Sequence, residues 1–186
     1  MTSPVRLSTR EAIIEAAFAV LGRDPSAPLS DVAERAGVGR ATLHRHFASR
    51  EALFHALAKT AVDEMDAAAE AACADTASHG EALRRTLQAL IPLGDRYGFL
   101  ALEPLHSDAE IQAAFERQNR ETAEMIDAAK REGLFDAAVP TAWITQAYDH
   151  LLYAGWESVR TGEATHAQAA DLAWRTLATG LGGRTS

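Results

Sequence analysis

Apolar residues recur along this chain at helical spacing, and the pattern begins at Ser8. Ser8 and Glu11 form an SxxE capping box, and Ile13, Ile14, Ala17, Phe18 and Leu21 follow as one stripe that ends at Gly22. The loop RDPSAP, with Pro25 and Pro28, is a stiff connector. Ser30 is placed to cap a second helix, with Asp31 favourable in its first turn. Val32, Ala33 and Ala36 lead from there to Gly37, a residue suited to a left-handed C-terminal cap. A third helix is expected from Gly39 to Phe47, with Leu43 and Phe47 turned inward. Ser49 caps a fourth that continues to about Ala72, its inward positions including Leu53, Phe54, Leu57, Ala61 and Met65.

The later pattern predicts a helix from Glu81 to Ile91, a break at Pro92 and a less regular helical piece through Leu105. Ser107 and Glu110 read as a second capping box, opening a helix to Glu132 that Gly133 closes. Its apolar side carries Ile111, Phe115, Met125, Ile126 and Ala129. Pro140 suits the first turn of the next helix, which runs to about Arg160, and a last one is expected from Thr165 to about Thr179. The result is an all-α chain of nine helices. Residues 1–48 are expected to form an N-terminal head and 49–186 a body, joined by the helix from about 49 to 72.

Composition agrees with this reading. Of 186 residues, 47% are hydrophobic, enough for a substantial core, and β-branched runs are few. The single cysteine, Cys73, excludes an internal disulfide and fits a reducing compartment. No apolar run is long enough to span a membrane, and MTSPVRLSTR lacks a signal-peptide core, so a cytoplasmic protein is expected. The net charge of −8 is unevenly distributed. Residues 1–60 hold 8 Lys+Arg against 6 Asp+Glu, whereas residues 61–186 hold 10 against 20. A mildly basic head is therefore attached to an acidic body, which discourages non-specific adhesion to DNA and leaves the basic face to set orientation.

That face lies in LSDVAERAGVGRATLHRHF, residues 29–47, where two short helices flank a tight Gly turn. This is the helix-turn-helix arrangement. Residues 39–50 contain Arg40, His44, Arg45, His46 and Arg50 and no acid, so the second helix presents donors for phosphates and base edges. Residues 1–7, carrying Arg6, are expected to be a flexible arm.

The segments REAIIEAAFAVL, LSDVAERAGVGRATLHRHF and SREALFHAL stand in order over residues 8–58, and together they resemble the TetR/AcrR family of one-component transcriptional regulators. The resemblance implies a three-helix DNA-binding head, a linking fourth helix, a ligand-binding body and dimerisation through the last two helices. It assigns Ser30 to a phosphate, and Gly39, Arg40 and Thr42 to base edges or nearby phosphates. His44 stands where the family most often has Tyr, His46 where it commonly has His, and Arg50 where Lys is usual. Arg40 is suited to a bidentate pair with guanine O6 and N7, whereas Ser30, Arg45 and Arg50 suit positioning contacts.

In WITQAYDHLLYAGWESV, residues 143–159, Ile144, Ala147, Leu151, Ala154, Gly155 and Ser158 recur at helical spacing with small members. With Ala169, Leu172, Ala173, Thr176 and Leu177 of the last helix they are expected to form a four-helix homodimer seam. Phe99, His106, Phe115, Met125, Trp143 and Tyr148 are the candidates for a pocket, whose apolar lining would suit a hydrophobic or aromatic effector. No HExxH, GxSxG, P-loop or dinucleotide fingerprint is present, and His44 and His46, two residues apart on a helix, diverge. Neither an enzyme, a metal site nor a cofactor is expected. Cys73 has no activating partner beside it in sequence. The expected activity is that of a dimeric repressor, released from a palindromic operator by a small molecule. The competing reading is an all-α ligand-binding or interaction module that does not read DNA.

Overall fold

The computed structural model describes residues 7–102 and 108–180, apart from the side chains of Tyr97, Ala101 and Leu102. Among the described residues there are nine α-helices, one 3-10 turn and no strand. The helices are α1 (Thr9–Leu21), α2 (Leu29–Arg35), α3 (Arg40–His46), α4 (Arg50–Cys73) and α5 (His79–Leu90). After the 3-10 turn Ile91–Leu93 come α6 (Gly94–Leu102), α7 (Ala109–Arg131), α8 (Thr141–Arg160) and α9 (His166–Gly180). Residues 1–6 of the expected arm, His106 and Ser107 lie outside the described residues.

Local chemistry sets most helix ends. Ser8 and Glu11 form the reciprocal capping box at α1, and the Ser49 hydroxyl accepts from Ala52 N at 3.1 Å at the start of α4. Three expectations need correction. The backbone turns into α2 at Pro28, so Ser30 is inside the first turn, where its hydroxyl meets Asp31 Oδ1 at 3.3 Å instead of capping. Helix α7 is capped by Asp108, whose carboxylate accepts from Glu110 N and Ile111 N at 3.0 and 3.2 Å. Pro140 precedes α8 as its N-cap and is not the first helical residue. At the start of α9, Thr165 and Gln168 make a reciprocal box not expected from the sequence.

By packing, the described residues form two compact units: residues 7–62 with 95–102, and residues 63–94 with 108–180. This division differs from a head ending at residue 48. Helix α4 contributes its first half to one unit and its second half to the other, and α6 from Asp95 onward packs with the head. The first unit buries Ile13, Ala17, Phe18 and Leu21 with Val32, Ala33, Leu43, Phe47, Leu53, Leu57 and Phe99. Phe99 meets the Phe18 ring edge-on at 5.8 Å and the Phe54 ring at 5.3 Å. Burying a side chain of this size stabilises by about 2 kcal/mol, so α6 is part of this core rather than a lid over another.

The second unit is built on Leu83, Leu87, Ile91, Ile111, Ile126, Phe135, Ile144, Tyr148, Leu152, Ala169, Ala173 and Leu177. Polar ties fix its helices. Asp66 of α4 accepts from Arg117 and, at 2.7 Å, from Gln118 Nε2, both on α7. Glu132 accepts from the His79 backbone N–H and meets its ring nitrogen, which holds the Glu132 carboxyl below the usual range.

Candidate nucleic-acid interface

Two buried side chains orient α3. Leu43 and Phe47 sit in the core of the first unit, and the Arg10 guanidinium covers the Phe47 ring at 5.4 Å. The turn before α3 is equally determined. Gly37 takes φ +67°, Gly37 N–H donates to Glu34 O, and Val38 N–H reaches back to Ala33 O at 2.9 Å. That closing pattern needs a left-handed residue at Gly37, which a side chain would strain. Gly39 then enters α3 in extended conformation. The last turn carries His44, Arg45 and His46, and the Arg45 guanidinium there complements the helix dipole.

With Leu43 and Phe47 turned in, Arg40, Ala41, His44, Arg45 and His46 are left exposed, and Thr42 is half-buried. Among the described residues neither Arg40 nor Arg45 is held in an ion pair. A groove of about 180 Å³ runs between the start of α2 and α3, lined by Leu29, Ser30, Arg40, Leu43 and His44. Three of the residues expected to touch DNA thus border one depression: Ser30, Arg40 and His44. Its polar rim can meet a phosphate or a base edge, while its floor, Leu43, is apolar.

Arg50 behaves differently from expectation. Its Nη1 donates to Ala27 O at 2.8 Å, Nη2 donates to Pro25 O, and the guanidinium lies 4.7 Å over the Phe54 ring. The half-buried side chain is turned into the protein, where it fixes the α1–α2 loop to the first turn of α4. At a helix start a cation looks solvated in sequence. Only the proximity of the loop carbonyls, more than twenty residues earlier in the chain, reveals the structural role.

In the second unit, Met125 and Tyr148 both neighbour the Cys73–Thr86 pair. Met125 Sδ is 3.9 Å from Cys73 Sγ, which is 3.6 Å from Thr86 Oγ. The Tyr148 hydroxyl donates to Leu83 O at 3.0 Å, and burial pushes its ionisation far above the usual phenol range. Phe115 is half-buried on α7. Phe99 belongs to the core of the first unit, and Trp143 is 63% exposed, so neither lines a pocket in the second.

The expected seam residues divide in the same way. Ile144, Gly155, Ala169, Ala173 and Leu177 are buried within the chain itself. A Cβ at Gly155 would lie 2.7 Å from Ile91 Cδ1 and 3.7 Å from Ala169 Cβ, so the small residues serve close packing inside the unit. Ala147, Leu151 and Ser158 are half-buried, whereas Ala154, Leu172 and Thr176 are exposed. Large apolar side chains that stand out from α8 and α9 are Trp143, Tyr153 and Leu172. Tyr153 was not anticipated, because periodicity identifies an apolar stripe without showing what covers it.

Comparison with known proteins places these features in context. Residues 13–57 match the family model described as bacterial regulatory proteins, tetR family. The chain is 34% identical over 187 residues to the HTH-type transcriptional repressor LfrR of Mycolicibacterium smegmatis, covering 97% of each. The crystal structure of the TetR-like regulator LfrR from Mycobacterium smegmatis in complex with proflavine is similar at 33% identity and TM-score 0.78, over 93% of this chain and 96% of that one. The ketosteroid transcriptional regulator KstR2 of Mycobacterium tuberculosis shares the fold, with TM-score 0.79 over 99% of this chain and all of that one, at 18% identity. Among the described residues, no helix is long and apolar enough to cross a membrane.

Proposed function

Because this chain belongs to the TetR family of bacterial regulatory proteins, we propose that it is a homodimeric repressor released from a palindromic operator by a small-molecule effector. The observation that carries the reading is the surface of α3, held from beneath by Leu43 and Phe47 and presenting Arg40, His44 and Arg45 beside the Ser30 groove. Arg40 reads a base, Gly39 and Thr42 lie at the entry to the groove, and Ser30, His44, Arg45 and His46 position the helix on the backbone. A pair of such helices, one per protomer, reaches successive major-groove faces about one helical turn apart. The exposed part of α8 and α9, centred on Leu172, Ala154 and Thr176 with Trp143 and Tyr153, supplies the dimer surface.

LfrR, the relative solved with proflavine, supports a planar aromatic effector, and its description as a repressor supports the sign of regulation. The effector site lies in the second unit around Phe115, Met125 and Tyr148. Its occupation shifts α4, which runs into the head, and a small change in the spacing of the two recognition helices disfavours DNA. The protein works in the cytoplasm and catalyses nothing itself. The test is binding of the full-length protein to promoter DNA upstream of its own and neighbouring genes, over a range of salt, with and without proflavine. A regulator loses affinity steeply as salt rises and releases DNA when the effector binds. Binding indistinguishable from that to random DNA at low salt would instead support an interaction module.

A further inference from the structure

Helix α3 turns two ridges away from its core, and they carry different chemistry. Successive helical residues are rotated by about 100°, so residues four apart fall on one ridge. Arg40 and His44 form the ridge that borders the Ser30 groove. Ala41 and Arg45 form the other, exposed on the side away from the buried Leu43 and Phe47. A helix lying in a major groove brings that side to the base edges, and its N-terminal residues make the contacts. The residue that stands there is Ala41, in the first turn of α3. Just before it, among the described residues, a Cβ on Gly39 would meet nothing beyond its chain neighbours within 4 Å, so the approach is open. A methyl neither donates nor accepts a hydrogen bond, so Ala41 cannot read a polar edge. The apolar group that a base pair presents in the major groove is the thymine C5-methyl.

We propose that Ala41 is a specificity-determining residue of α3, its methyl packed on a thymine methyl close to the guanine read by Arg40. The two residues are consecutive, and the helix rises only about 1.5 Å between them. Base steps are about 3.4 Å apart, so the thymine lies within about two base pairs of that guanine. Each half-site thus joins a hydrogen-bonded guanine to a thymine recognised by shape alone. The assignment rests on the regulator reading, and its test lets the two fail separately.

The full-length protein is used to select duplexes from a random pool. Each thymine of the selected duplex is then replaced by uracil, which lacks only the methyl. One thymine per half-site is expected to lose about fourfold in affinity on replacement, the worth of one buried methyl. In Ala41→Gly, thymine and uracil should bind alike at that position, while the loss on replacing the guanine is retained. Glycine weakens a helix, so Ala41→Gln is the second variant: it keeps helix propensity, and its longer side chain holds the methyl off. The uracil difference should vanish there too. A uracil loss that persists in the folded variants, or a selected duplex indifferent to every uracil, would overturn the role of Ala41 and leave the regulator reading intact. Failure to select any sequence would overturn both.

Discussion

Arg50 Nη1 donates to the Ala27 carbonyl at 2.8 Å, so the first turn of α4 and the loop before α2 are held as one piece. The second bond to Pro25 O and the stack on Phe54 complete the attachment. Hydrogen bonds from a charged donor are the stronger kind, and loss of this half-buried cluster is expected to cost about 2 kcal/mol. Urea unfolding of Arg50→Ala should therefore show a lowered midpoint, and Arg50→Lys should recover only part of it, since an ammonium lacks the fork. Unchanged stability with weakened DNA binding would return Arg50 to the phosphate role.

Arg40 and Arg45 should separate reading from positioning. Across operator variants, Arg40→Ala is expected to remove discrimination at one base pair by roughly 1–3 kcal/mol. Arg45→Ala should weaken all sequences alike and lower the slope of log affinity against log salt by about one. The reverse pattern in a quantitative binding assay would exchange the two assignments.

Asp149 makes stability depend on pH in a direction unusual for a carboxylate. Burial pushes its carboxyl from the ordinary 3.8 up to about 6, although His150 opposes the shift. Between about 4 and 6 the folded protein holds a proton that the unfolded chain has released, so stability falls as pH rises through this window. Above it, the cost of the buried charge is present in full. Asp149→Asn should match the parent near pH 4, exceed its melting temperature at pH 7, and flatten the profile between. A difference that does not vary with pH would refute the assignment.

Leu172 is 49% exposed on α9 and, with Trp143 and Tyr153 of α8, is one of the large apolar side chains on the proposed dimer surface. Leu172→Glu is expected to convert the dimer to monomer in sedimentation velocity, while the far-ultraviolet helix signal is retained. Sedimentation identical to the parent would move the interface away from this face.

The helical order of the chain was readable because period, caps and turn residues agree locally, as Ser8 with Glu11 and Gly37 after Ala36 illustrate. The recognition helix was readable for the same reason: Leu43 and Phe47 leave only one face for the cations. What sequence could not supply was tertiary address. Phe99 carries no mark that it packs with Phe18, some eighty residues away, and Arg50 no mark that loop carbonyls wait for its guanidinium. In α8 and α9, small residues at helical spacing announce a close neighbour but not whose. Here that neighbour is the same chain for Gly155, Ala169 and Ala173.

The anchoring of α3 has an evolutionary consequence. Leu43 and Phe47 hold the helix, so Arg40, Ala41, His44 and Arg45 can be exchanged at little cost to folding, as is usual for exposed positions away from caps and cores. A duplicated copy can thus acquire a new promoter through a few surface substitutions while its scaffold stays intact. The sequence preference of such a protein is replaceable hardware, mounted on a permanent frame.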